Sequence, residues 1–188
     1  AKPWQVVRDK SRQKIKCALA VNKLDIGGLE EFVSQLAYGL QDSKIAPFVV
    51  CVKEAGSIAD DLRDHGIRVI VTEDDKVLMR KFLQREKPDI VNSHWADINL
   101  LEVAKDLGIP IIETIHSSYI WLDPEGWHLE KRRSLFFSRA IATSQNTCRY
   151  YSKWNNTLPE GLIRIIPNGI DPKRVKLIER GVARKELK

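Results

Sequence analysis

Apolar residues along the chain fall into short runs, separated by stretches whose apolar positions recur at helical spacing. Residues 15–21 are apolar apart from Lys16 and predict a strand. Residues 28–40 then carry Leu29, Phe32, Val33, Leu36, Ala37 and Leu40 on one stripe, the mark of an amphipathic helix. The alternation repeats. Strands are expected over 48–52, 67–71, 89–92, 110–115, 140–143 and 162–166. Helices are expected over 57–65, 75–85, 98–107, 125–137, 146–153 and 172–180. Ser57 reads as an N-cap, while Gly66 and Gly108 read as helix stops. Uninterrupted apolar strands suit a sheet buried on both faces. Strand–helix alternation implies right-handed crossovers, so the predicted fold is α/β: an open, doubly wound, Rossmann-like parallel sheet of about seven strands.

The 188 residues suffice for one substantial domain, and 43% hydrophobic with 30% charged is a globular balance. No apolar run is long enough for a membrane span. Residues 1–16 are polar and basic, with no apolar core of a secretory signal. Cys17, Cys51 and Cys148 are few, odd in number and scattered. This argues against a disulfide framework and for a reducing, cytoplasmic compartment. There is no CxxC or HExxH, so no metal site is expected. Asn155-Asn156-Thr157 matches a glycosylation sequon, read as chance.

Lys plus Arg number 31 against 25 Asp plus Glu, giving a net charge of +6. Much of the excess is terminal. Solubility is the first reading of this charge, an anionic membrane face the second, and nucleic acid, for which no motif is present, a distant third.

In an open α/β sheet, ligands bind beyond the carboxyl ends of the strands. The residues expected there are Asn22 to Gly28, Ser93-His94-Trp95, His116-Ser117-Ser118-Tyr119, Ser144-Gln145-Asn146 and Pro167-Asn168-Gly169. Gly27-Gly28 opens a helix, where absent Cβ atoms and free N–H groups suit a phosphate or a developing anion. The pair is neither GxGxxG nor GxxxxGKS, so no dinucleotide fingerprint or P-loop is present. His116 begins a loop and could donate to a substrate hydroxyl or phosphate oxygen, or cap the loop. His94 is placed similarly, with Trp95 beside it suggesting packing. Tyr119, Trp121 and Trp127 could stack on a sugar, touch lipid, or pin the loop to the core. Lys131-Arg132-Arg133 reads as a solvated helix face.

Five pieces in this order resemble the N-terminal domain of a family 4 (group 1) glycosyltransferase of the GT-B fold. They are Gly27-Gly28-Leu29-Glu30, the stretch from Lys87 through Asn92-Ser93-His94, Glu113-Thr114-Ile115-His116, Ala142-Thr143-Ser144, and Ile165-Ile166-Pro167-Asn168-Gly169-Ile170-Asp171. The resemblance implies retaining transfer of a sugar from a nucleotide-diphosphate sugar to a glycan, lipid or small-molecule acceptor, with the nucleotide sugar as donor substrate and no cofactor or metal. It implies that His116 contacts the donor and is catalytic. Gly27, Gly28, Glu30, His94, Ser144, Asn168 and Gly169, on the matching pieces, are expected to bind substrate, as is Tyr119 by its place in the loop after His116. Asn92 stands where the family often has histidine.

On this reading residues 1–13 are a basic extension, 14–171 the acceptor-side domain and 172–188 the start of a linker. The donor-binding C-terminal domain of such enzymes, with its Glu-x7-Glu motif, is not in the sequence. The chain is therefore expected to be a domain or fragment that is inactive alone, working in polysaccharide or related synthesis in the cytoplasm or at the inner face of the membrane. The alternatives are a binding subunit that needs a separate donor-binding chain, or a GT-B phosphorylase or epimerase.

Overall fold

A computed structural model describes residues 14–170 and 178–186. The elements run β1 (Ile15–Leu24), α1 (Gly28–Gln41), β2 (Ile45–Ala55), α2 (Ser57–Asp64), β3 (Val69–Val71), α3 (Lys76–Glu86), β4 (Ile90–His94), α4 (Ile98–Asp106), β5 (Ile111–Ile115), α5 (Pro124–Ser134), β6 (Arg139–Ala142), α6 (Gln145–Trp154), a 3-10 turn (Glu160–Leu162), β7 (Ile163–Ile165) and α7 (Arg180–Glu186). The strands form one seven-stranded sheet in the order β3-β2-β1-β4-β5-β6-β7. Every neighbouring pair is parallel. The expected doubly wound sheet is therefore the observed one.

Two cores cover its faces. Cys17, Leu19 and Val21 of β1 pack with Val33 and Ala37 of α1 and Ala59 and Leu62 of α2. The alternate residues Ala18 and Ala20 pack on the other face, with Met79 and Leu83 of α3 and Leu100, Leu101 and Ala104 of α4. Strict alternation of β1 side chains between two apolar cores is why residues 17–21 read as unbroken hydrophobicity. Both Cys17 and Cys51 are buried free thiols, whose pKa burial pushes up to about 11.

Several boundaries differ from the sequence reading, each for a local reason. β1 continues through Asn22-Lys23-Leu24, because the register with β2 shifts between Val21 and Lys23 and then resumes at Lys23 against Glu54. β2 is long and contains Pro47, opposite Cys17 of β1; β3 begins pairing only at Val49, so the missing proline N–H faces no partner strand there. Ser57 is not the N-cap of α2. That position is Gly56, and a Cβ there would lie 2.8 Å from both Asp25 Cα and Leu24 O. Backbone contact with the end of β1 thus selects glycine at the cap. α5 is shorter than expected. It starts at Pro124 behind an Asp123 cap that accepts from Gly126 N–H, and ends at Ser134. Gly66 and Gly108 stop their helices with φ +77° and +70°.

The expected extension 1–13 lies outside the described residues, as does most of the helix expected over 172–180; α7 occupies Arg180–Glu186 and buries none of its residues. Among the described residues no helix is long and apolar enough to cross a membrane.

Candidate functional site at the sheet switch point

The strand order reverses at β1, which lies between β2 and β4. α1 and α4, which follow β1 and β4, pack on opposite faces of the sheet, the arrangement that in open α/β sheets leaves a ligand crevice beyond the carboxyl ends of the two strands. Gly27-Gly28 follows β1, His94 ends β4, and His116 follows β5, the next strand over.

These pieces touch. His94 Nδ1 lies 2.9 Å from His116 Nε2. The ring of Phe32, one turn into α1, meets the His116 ring edge-on with centroids 5.0 Å apart and the His94 ring at 5.8 Å. The first turn of α1 and both imidazoles therefore form one cluster. His94 is fully buried, not placed in a loop as its spacing suggested, because β4 extends through it and Val21 pairs beside it. Burial, with His116 adding to it, holds His94 well below the ordinary imidazole pKa. Burial alone lowers His116 to about 4. Both rings are neutral at pH 7.

Two tautomer arrangements satisfy the histidine pair, and His94 Nε2, buried with no partner, separates them. If His116 Nε2–H donates to His94 Nδ1, the single proton of neutral His94 sits on Nε2 as an orphaned buried N–H. If His94 Nδ1–H donates, only a lone pair is left orphaned, which is the cheaper defect. The second arrangement leaves His116 Nδ1 protonated. In that arrangement His116 Nδ1–H is the donor the pair offers to a ligand.

The helix side of the site is equally specific. Gly27 is the N-cap of α1 in an extended conformation, with no side-chain cap. The first intrahelical bond runs from Glu31 N–H to Gly27 O, which leaves the N–H groups of the first turn aimed outward. A Cβ on Gly27 would run into the flexible carboxylate end of Glu30; a Cβ on Gly28 would meet nothing within 4 Å. No contact within the chain requires glycine at 28, so the space beside it is open for something else.

Residues 26–174 match the profile described as Glycosyltransferase Family 4. The chain belongs to that family. The fold agrees with solved structures of low sequence identity. One is Anabaena Alr3699/HepE in complex with UDP and glucose, at 19% identity and TM-score 0.73 over 92% of this chain and 50% of that one. A glycosyltransferase from Rickettsia africae ESF-5 has 15% identity and TM-score 0.66, over 92% and 48%. UDP-N-acetylglucosamine 2-epimerase from Rickettsia bellii has 16% identity and TM-score 0.59, over 82% and 45%. The chain thus spans about half the length of the structures it matches. No curated protein matches it.

In this family 4 domain the remaining expected residues are spread along the sheet edge. Ser144 sits after β6, its hydroxyl spent on capping α6 at Thr147 N–H, 3.0 Å away. Asn168 and Gly169 are exposed beyond β7, at the far edge from β1. Tyr119 corrects the expectation of an exposed loop aromatic: it is 3% exposed and packs edge-on against Trp95 with centroids 4.2 Å apart. Trp127 is buried too, whereas Trp121 is 66% exposed. Asn92 lies within β4 and donates to Ile112 O and Thr114 Oγ1 of β5, tying two strands together rather than reaching the crevice.

Trp95 and Tyr119 both adopt left-handed backbone, φ +59° and +52°. Such conformations in bulky residues cost on the order of 1–3 kcal/mol each and persist where surrounding bonds enforce them. Asn22 Nδ2 donates to Trp95 O, Trp95 N–H donates to Glu113 Oε1, and Tyr119 N–H donates to Ser117 Oγ.

Behind Trp95 lies a network the sequence did not reveal. Arg133 is 3% exposed, not a solvated face. Its guanidinium bonds Glu113, Glu130 and the Ala96 carbonyl, and lies 4.9 Å over the Trp95 ring. Tyr151 OH donates to Glu130, and Asn155 donates to Tyr151 OH. Asn155 is 0% exposed, so the sequon is structural. The one available signal was Glu130 three residues before Arg133 on a helix.

The lowered histidine pKa makes stability pH-dependent. Between about 4 and 6.5 the unfolded chain binds a proton at His116 that the folded chain refuses, so rising pH favours the fold and the gain is complete above 6.5. The gap corresponds to on the order of 3 kcal/mol. Burial pushes the Glu113 carboxyl up, which bends the profile the other way. The expected result is therefore comparative. Urea unfolding at pH 4.5, 5.5 and 7 should show a steeper acid loss for the parent than for His116→Asn, and parallel profiles would contradict the shift.

Proposed function

We propose that this domain is the acceptor-side half of a retaining glycosyltransferase that uses a nucleotide-diphosphate sugar, with the donor pocket completed by a second domain. The observation that supports it best is the convergence of an uncapped, glycine-opened α1 N-terminus with a neutral histidine pair at the switch point. When the bond from the anomeric carbon to the β-phosphate oxygen breaks, the electron pair stays on that oxygen and negative charge grows there. Backbone N–H groups after Gly27 and the His116 Nδ1–H are donors fixed in advance, which stabilise such charge without reorganisation. His94 orients His116 and fixes its proton. Glu30, Asn168 and Gly169 line the same edge and contact sugar or acceptor hydroxyls, while Ser144, its hydroxyl engaged by α6, borders them.

UDP is bound in the Anabaena structure, and a uridine nucleotide sugar is the donor class to try first. Two results are expected. The 188-residue chain alone turns over no UDP-sugar, because half of the closing pocket is lacking. The protein joined to a donor-binding half transfers sugar with retained anomeric configuration, read from the anomeric proton coupling of the product. Turnover by the chain alone, or an inverted product, would defeat the proposal.

A further inference from the structure

The β5–α5 loop and α6 border a shallow, open depression of about 320 Å³ lined by Ser118, Asn146, Arg149, Tyr150 and Lys153. Asn146, Arg149, Tyr150 and Lys153 follow one another at i, i+3, i+4 and i+7, so one face of α6 forms a wall. Ser118 borders the depression from the loop that begins at His116, two residues earlier.

The chemistry of this wall is one-sided. Its two cations stand four residues apart on the same helix face, an arrangement that repels unless something neutralises it. Neither Arg149 nor Lys153 has a carboxylate partner among the described residues, in contrast to Lys23, which pairs with Glu54, Arg63 with Asp60, Lys76 with Glu102 and Arg80 with Asp106. No acidic residue lines the depression. Its neutral polar groups, the Ser118 hydroxyl and the Asn146 carboxamide, are likewise without a protein partner among the described residues, whereas the adjacent Ser117 and Ser144 hydroxyls are both engaged. Tyr150 adds an aromatic wall, held by its neighbours Trp127 and Trp154. A guanidinium, an ammonium, a hydroxyl and an amide converging on a ring-walled hollow match a phosphate attached to a polyol: charge-assisted donors for the oxyanion, neutral donors and acceptors for hydroxyls, and a flat apolar face for C–H groups.

We propose that this depression is a subsite for a phosphate group carried by the acceptor, with Arg149 and Lys153 holding the phosphate and Ser118 and Asn146 the adjoining hydroxyls. The assignment to the acceptor rests on the transferase reading above; the phosphate site itself does not. Ser118 lies two residues from His116, so a ligand anchored here lies alongside the loop that carries the proposed donor contact. The structure gives the same chemistry to a soluble sugar or polyol phosphate and to a lipid head group, and the test separates them.

The probe is sn-glycerol 3-phosphate, titrated into the 15N-labelled 188-residue chain at low salt while backbone and Arg side-chain NMR signals are followed. In parallel, flotation is measured with vesicles of phosphatidylcholine containing phosphatidylglycerol. Arg149→Gln/Lys153→Gln is compared with Lys105→Gln, which removes an exposed charge on α4. All three positions are exposed, so folding is not at stake. The expected result is shifts concentrated at Ser118, Asn146 and Arg149, with affinity about tenfold weaker or more in the double variant and unchanged in the control. Vesicle binding that is lost in the same variant, with no response to the soluble probe, assigns the phosphate to a lipid head group. Shifts elsewhere, equal affinity in the double variant, or no binding in either arm overturns the proposal. Failure of transferase activity in the completed enzyme, with this binding intact, would remove only the acceptor assignment.

Discussion

Arg133→Met should destabilise the domain by about 3–5 kcal/mol at pH 7, the range for breaking a buried ion pair from one side. Arg133 neutralises two carboxylates, Glu113 and Glu130, which are 0% and 1% exposed. Removing the guanidinium leaves two like charges in a dry core, one of which must take up a proton. In a chain of this length the loss should lower Tm by roughly 10 °C. Thermal unfolding at pH 7 measures it, and a shift within 2 °C would show that the network is not stabilising in the way its geometry suggests. The deficit should shrink at pH 5, where a carboxyl pushed up by burial is protonated more readily. A triple replacement, Arg133→Met with Glu113→Gln and Glu130→Gln, should recover much of the stability, because neutral amides can share the remaining hydrogen bonds. The consequence for the site is direct. Glu113 holds Trp95 N–H, and Trp95 follows His94 in a strained conformation, so loosening the network releases the residue that orients His116.

Loss of the His116 imidazole in the completed enzyme should reduce kcat by ~10²–10³, as for removal of one donor to a developing oxyanion. Alanine is a poor probe here. His116 is largely buried, packs on Phe32 and bonds His94, so truncation also opens a cavity and orphans a second His94 nitrogen. His116→Asn shortens the side chain but retains a donor and an acceptor, and gives the cleaner measurement when the folded fraction is checked by near-UV circular dichroism. Gly28→Val tests the other half of the cradle. Since a Cβ at 28 meets nothing and the backbone is not left-handed, the variant should fold normally and lose activity by filling the space beside the helix terminus. Parental activity in a folded His116→Asn protein would reduce His116 to a structural residue; parental activity in Gly28→Val would remove the helix terminus from the site.

The doubly wound sheet was legible in the sequence because its information is local. Runs such as 17–21 and 48–52 are apolar throughout since both faces of the sheet are covered, and Gly66, Gly108 and Asp75 punctuate helices through their own backbone or capping chemistry. The rule that ligands bind beyond the carboxyl ends of the strands placed residues 27–28, 94 and 116 at one edge as soon as the fold class was known. What the sequence could not carry was anything set by contacts between distant segments. Arg133 looks like one of three basic residues on a surface helix, and only the meeting of α5 with β5 buries it against Glu113, 20 residues away. His94 looks like a loop residue, and only its pairing with Val21 of β1 makes it the last residue of a strand, sealed from solvent. The bond between His94 and His116, the inward turn of Tyr119 onto Trp95, and the cationic hollow between Ser118 and Lys153 arise in the same way. Side chains far apart in sequence acquire their protonation, exposure and partners from the tertiary fold, because desolvation and hydrogen bonding depend on every neighbour, whereas periodicity depends on only a few residues along the chain.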